Sequence, residues 1–94
     1  MAILITADGD IVERKPENGK NFSLKELRKI IDCSYIETIN LFDGRFLVVD
    51  EEGKLLNKES NAKVTSLLIL RKLSHPTADY IVGDALLCKE GEVL

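Results

Sequence analysis

Two groups of carboxylates could hold a hard divalent cation: Asp8, Asp10 and Glu13 near the start, and Asp50, Glu51 and Glu52 near the middle. Such ions want several oxygens together, but neither group has the spacing of an EF-hand loop. Asp-Gly-Asp, or three acids leading into Gly53, is also how a solvated turn is written, so no metal is expected. His75 is the sole histidine and the sole imidazole that could serve as a base or ligand. One histidine cannot build a typical zinc site, and no Gly-x-Ser-x-Gly elbow or other nucleophile motif supplies it with a partner. Cys33 falls at the C-terminus of a predicted helix, not at the N-terminus that lowers a thiol pKa. Walker A and GxGxxG loops are missing. The expectation is therefore no catalytic residue, no cofactor and no enzyme.

One cluster could bind rather than react. Lys20, Lys25, Arg28 and Lys29 together could touch phosphates. The plainer reading is the wet face of an amphipathic helix. A formal charge of −3 and a pI near 5.1 weigh against a dedicated nucleic-acid binder, which displaces counterions with a basic surface. The halves differ little: 7 Lys/Arg against 11 Asp/Glu over residues 1–52, and 6 against 5 over 53–94.

The elements that must position these groups are legible in order. Ile3, Ile5 and Ala7 alternate with Leu4 and Thr6 as a strand with at least one buried face. Asp8-Gly9 supplies a tight hairpin turn into Ile11 and Val12, a strand ending near Arg14. Lys15-Pro16-Glu17-Asn18-Gly19-Lys20 is a loop. In Phe22-Ser23-Leu24-Lys25-Glu26-Leu27, Ser23 and Glu26 have capping-box spacing, and Phe22 and Leu27 that of a hydrophobic staple. The helix they open carries Leu24, Leu27, Ile30 and Ile31 as one stripe and ends around Cys33-Ser34. Two β-prone runs, Tyr35 to Phe42 and Arg45 to Asp50, flank Asp43-Gly44 as a second hairpin. Asn61 to Leu73 could be a helix capped by Asn61, with Arg71 and Lys72 against its negative end, or a buried strand; the helix is preferred. Ser74 to Thr77 is a loop. Tyr80 to Cys88 is a final strand or strand pair in which Gly83 marks a bulge or close approach. The tail from Lys89 to Leu94 is expected to fray.

The order β-β-α-β-β-α-β with short links predicts an α+β fold, a two-layer sandwich of mainly antiparallel sheet and two helices, in a single domain over 1–94 with an ordered core of about 2–88. Its 94 residues, 45% apolar and 31% charged, suffice for a core without disulfides or metals. That core must be mainly Leu, Ile and Val, for there is no Trp. No stretch matches the roughly 18–20 continuous apolar residues of a membrane span. The start, Met1-Ala2-Ile3-Leu4-Ile5, has no basic region and reads as a strand rather than a signal peptide. A cytoplasmic protein is expected, with Cys33 and Cys88 as reduced, buried hydrophobes rather than a disulfide.

The runs Leu47-Val48-Val49-Asp50-Glu51-Glu52-Gly53-Lys54-Leu55 and Asp79-Tyr80-Ile81-Val82-Gly83-Asp84-Ala85-Leu86-Leu87, with Tyr35-Ile36-Glu37 and Asn61-Ala62, add a resemblance. The chain resembles an uncharacterised family of small domains of unknown function found in plasmid, phage and conjugative-element proteins of bacteria. The likeness covers roughly Ile3 to Cys88 and is least typical over Ser74 to Ala78. It implies a genetic context and transfers no activity to any residue. In that context a small acidic protein is expected to bind a protein, host-encoded, element-encoded or a second copy of itself, as a regulatory or anti-defence factor. A nucleic-acid accessory role on the four basic residues is the alternative, and a small-ligand protein or enzyme the third.

Overall fold

The computed structural model describes residues 2–41, 43–70 and 80–93. Among these residues five strands and two helices follow in the predicted order: β1 (Ala2–Ile5), β2 (Ile11–Arg14), α1 (Leu24–Ile31), β3 (Ile36–Asn40), β4 (Arg45–Asp50), α2 (Ala62–Leu70) and β5 (Ala85–Lys89). The strands form one sheet in the order β2-β1-β5-β4-β3, every neighbouring pair antiparallel. The last strand thus enters the middle, between the two hairpins. That leaves β2 and β3 at the edges.

The fold is α+β, as its sequence predicts, but its layering differs from a two-layer sandwich. Ile5, Leu47, Val49 and Ala85 share one buried cluster with Val64 of α2. Leu4, Val48, Leu86 and Cys88 share another with Leu27 and Ile31 of α1. Successive side chains of a strand point to opposite faces. The two clusters therefore lie on opposite sides of the sheet, and the sheet is the middle of three layers. The reason is written in β1, β4 and β5, which are apolar at both parities and need cover on both faces.

Both helices begin on the caps their sequences announce. Ser23 Oγ accepts from the Glu26 backbone N–H at 3.1 Å, and Glu26 Oε1 accepts from the Ser23 N–H at 3.2 Å. Phe22 and Leu27 are fully buried in the same cluster, as a staple requires. Asp32 closes α1 in the left-handed region at φ 58°. Asn61 Oδ1 accepts from the Val64 N–H at 3.2 Å and so caps α2, which resolves that ambiguous segment as helix. Arg71, Lys72, His75 and the rest of the Ser74 to Ala78 linker lie outside the described residues. Beyond Cys88, where fraying is expected, β5 runs on to Lys89. The Phe22 N–H then donates to the Glu92 carbonyl at 2.6 Å, and Val93 bridges to Phe22.

Candidate functional site

The runs 47–55 and 80–87, far apart in the chain, meet at one corner of the sheet. Asp50 ends β4 with its side chain only 1% exposed. Its Oδ1 accepts from the Glu52 N–H at 2.9 Å, which shapes the turn that follows. Its Oδ2 lies 2.8 Å from Lys58 Nζ, a contact of charge rather than a directional hydrogen bond. The same ammonium donates to the Asp32 carbonyl at 2.6 Å. It therefore caps the negative end of α1 while neutralising Asp50. One lysine ties β4, α1 and the 51–58 turn together.

The Ile81-Val82-Gly83-Asp84 run is held just as closely. The Asn61 N–H donates to the Ile81 carbonyl at 2.7 Å, the Ile81 N–H to Thr65 Oγ1 at 2.9 Å, and the Gly83 N–H to the Glu59 carbonyl at 2.7 Å. The fully buried Asn61 amide donates to both the Ile5 and Gly83 carbonyls, at 2.9 and 3.0 Å. Asp84 Oδ1 accepts from the Ala7 N–H at 3.0 Å. Gly83 has φ +74°, and a Cβ there would stand 2.9 Å from Lys58 Cδ. Close approach, the second of the two readings of this glycine, is what the structure contains. Gly53 is tighter still: a Cβ would stand 2.6 Å from Val82 Cγ2. Asp50, Asp84, Gly53 and Gly83 are engaged in holding the fold together.

The cleft beside this corner is small. Lined by Glu37, Val49, Glu51, Leu55 and Tyr80, it holds about 80 Å³, and Lys54 Nζ sits 4.1 Å above the Tyr80 ring. Pockets that bind metabolites or cofactors run to ~300–1,000 Å³. The volume suits a single side chain.

The other residues singled out from sequence are scattered. Among the described residues no group of three or more His, Cys, Asp or Glu side chains is placed to hold a metal. At Asp8-Gly9-Asp10 the Thr6 N–H donates to the Asp10 carbonyl and the Asp10 N–H to Thr6 Oγ1, both at 2.9 Å, as a tight turn requires. Both cysteines are free. Burial pushes the Cys88 thiol up to about 12 and raises that of the half-buried Cys33. Lys25, Arg28 and Lys29 are exposed on α1, three and four residues apart and so on one face, while Lys20 is exposed in the preceding loop. Glu26, at the N-terminal end of the same helix, has its carboxyl held below the usual range by the Glu17 and Ser23 backbone N–H groups. Among the described residues no helix is long and apolar enough to cross a membrane.

A further exposed surface runs along the outer edge of β2. Every residue of β2 is exposed, including Ile11 at 62% and Val12 at 43%. Register decides which backbone groups face outward. Thr6 and Asp10 are a hydrogen-bonded pair, and such pairs recur every second residue. Leu4–Val12 and Ala2–Arg14 are therefore bonded, and the N–H and C=O groups of Ile11 and Glu13 point away from β1. Two donors and two acceptors line an edge that no described residue pairs with, beside two apolar side chains.

A family model described as a domain of unknown function (DUF3846) matches residues 1–93, and the chain belongs to that family. No curated protein and no solved structure matches it.

Proposed function

We propose that this member of the DUF3846 family is a non-catalytic protein-interaction domain, encoded by a mobile genetic element and acting in the cytoplasm, that takes a strand from a protein partner along the outer edge of β2. The observation that carries the reading is the free β2 edge, with Ile11 and Val12 exposed and the Ile11 and Glu13 backbone groups turned outward. Strand addition uses such an edge: main-chain bonds give affinity, and alternate side chains give specificity. The 80 Å³ cleft at the Asp50 corner is too small to hold a metabolite.

The test is affinity capture from a bacterial lysate, with and without nuclease, using the wild-type chain and a Glu13→Pro variant. Proline removes an N–H that β1 does not use, so it blocks the outer edge alone. A protein retained after nuclease and lost with Glu13→Pro supports the reading, and capture indifferent to that substitution contradicts it. The second reading, a nucleic-acid accessory protein, draws on the exposed Lys25, Arg28 and Lys29 of one α1 face together with Lys20. It requires binding that weakens steeply with salt and is lost on Arg28→Glu with Lys29→Glu.

A further inference from the structure

We infer that the strand β2 receives is the β2 of a second copy of this chain, paired antiparallel about a two-fold axis through Val12; the inference rests on the edge-strand reading above. A strand added to β2 must meet the outward groups of Ile11 and Glu13 with outward groups of its own. When the partner is another β2, only three two-fold registers do so, with the axis at Ile11, Val12 or Glu13. An axis at Glu13 sets that carboxylate against its own copy, a like-charge cross-strand pair. An axis at Ile11 sets Glu13 beside Gly9, in the turn and off the strand.

The axis at Val12 uses the whole strand. Ile11 then pairs with Glu13 of the second copy, and the reverse pair forms by symmetry. Each exchanges both N–H and C=O bonds, so the four outward groups of each chain are all satisfied. Asp10, which directly precedes the strand and pairs with Thr6, falls opposite Arg14 of the second copy, twice over, so opposite charges face each other at both ends of the pairing. Val12 meets its own copy between these two ion pairs. Asp10, Val12 and Arg14 occupy non-bonded positions, where facing side chains come closest. The two five-stranded sheets become one of ten.

The test uses the full chain with Cys33→Ser, leaving buried Cys88 in place. Sedimentation velocity is expected to show a reversible monomer–dimer equilibrium. Arg14→Glu removes both ion pairs, opposes two like charges and is expected to weaken the dimer at least about tenfold. Asp10→Arg combined with Arg14→Asp restores the complementarity and is expected to recover it. Val12→Cys is expected to cross-link under mild oxidation, while Ile11→Cys and Glu13→Cys, each about two residues out of register with its own copy, do so far more slowly. These β2 positions are exposed, so folding of each variant is checked by its circular dichroism. A chain that stays monomeric up to about 1 mM overturns the inference, as does a dimer indifferent to Arg14→Glu or one that cross-links equally at all three positions. A monomer whose β2 edge still captures a different protein, sensitive to Glu13→Pro, overturns self-pairing and leaves the edge-strand reading standing.

Discussion

Replacing Lys58 by Met keeps most of the aliphatic stem and deletes the charge that the corner is built around. The substitution removes the 2.8 Å ion pair with Asp50 and the 2.6 Å bond to the Asp32 carbonyl. Asp50 is left with a side chain 1% exposed and with the Glu52 N–H still donating to it. Breaking a buried pair by removing one partner costs ~3–5 kcal/mol. The Lys58 side chain is 20% exposed, so water already shares its charge, and we reduce the expectation to about 2–3 kcal/mol. For a domain of this size that is a fall in Tm of roughly 10–20 °C. Asp50→Asn keeps an acceptor for the Glu52 N–H and is expected to cost less, about 1–2 kcal/mol. The double variant, measured by urea denaturation at pH 7, is expected to lose about 1–2 kcal/mol less than the two single losses summed. Single losses under about 0.5 kcal/mol that simply add would refute the role assigned to this pair.

Asn61→Ala removes the α2 cap and both donors to the Ile5 and Gly83 carbonyls, an expected loss of about 2–4 kcal/mol. Asn61→Asp keeps the cap oxygen without the donors, so denaturant titration should find it no milder than alanine. Gly53→Ala is expected to cost about 1–3 kcal/mol through its clash with Val82, and adding Val82→Ala should recover part of that in the same titration. Because Glu26 has a lowered pKa in the folded chain, its contribution is present above its unfolded pKa and is lost as pH falls through the folded one. Thermal melts between pH 6 and 2.5 should show a shallower acid loss for Glu26→Gln than for the wild type.

Local signals proved readable and non-local ones did not. Ser23 with Glu26, Asn61 before an apolar run, Asp8-Gly9 and Asp43-Gly44 act within a few residues, and each sets the element beside it. The layer count depends on whether strands are apolar at one parity or both. Leu47 with Val49 and Phe46 with Val48 carried that signal, and the two-layer expectation overlooked it. A central place for β5 follows from the same cue, since Ala85, Leu86 and Cys88 are buried on both faces, whereas Glu13 and Arg14 suit β2 to an edge. Lys58 could not be found this way. Its carbonyl partners lie 26 and 27 residues back, and a lone lysine in a polar turn looks like any other surface charge. Asp8, Asp10 and Asp50, among the carboxylates that first suggested chemistry, are turn and latch residues for the same reason: spacing along the chain does not reveal a partner across the fold.

The most direct measurement is photo-cross-linking in bacterial cells, with a photoreactive amino acid placed at position 12 on the β2 edge or at position 29 on the basic face of α1. Covalent protein adducts from position 12 that are suppressed by Glu13→Pro and unaffected by nuclease are the predicted result. Adducts from position 29 alone, made to nucleic acid and removed by nuclease, would contradict the edge-strand account.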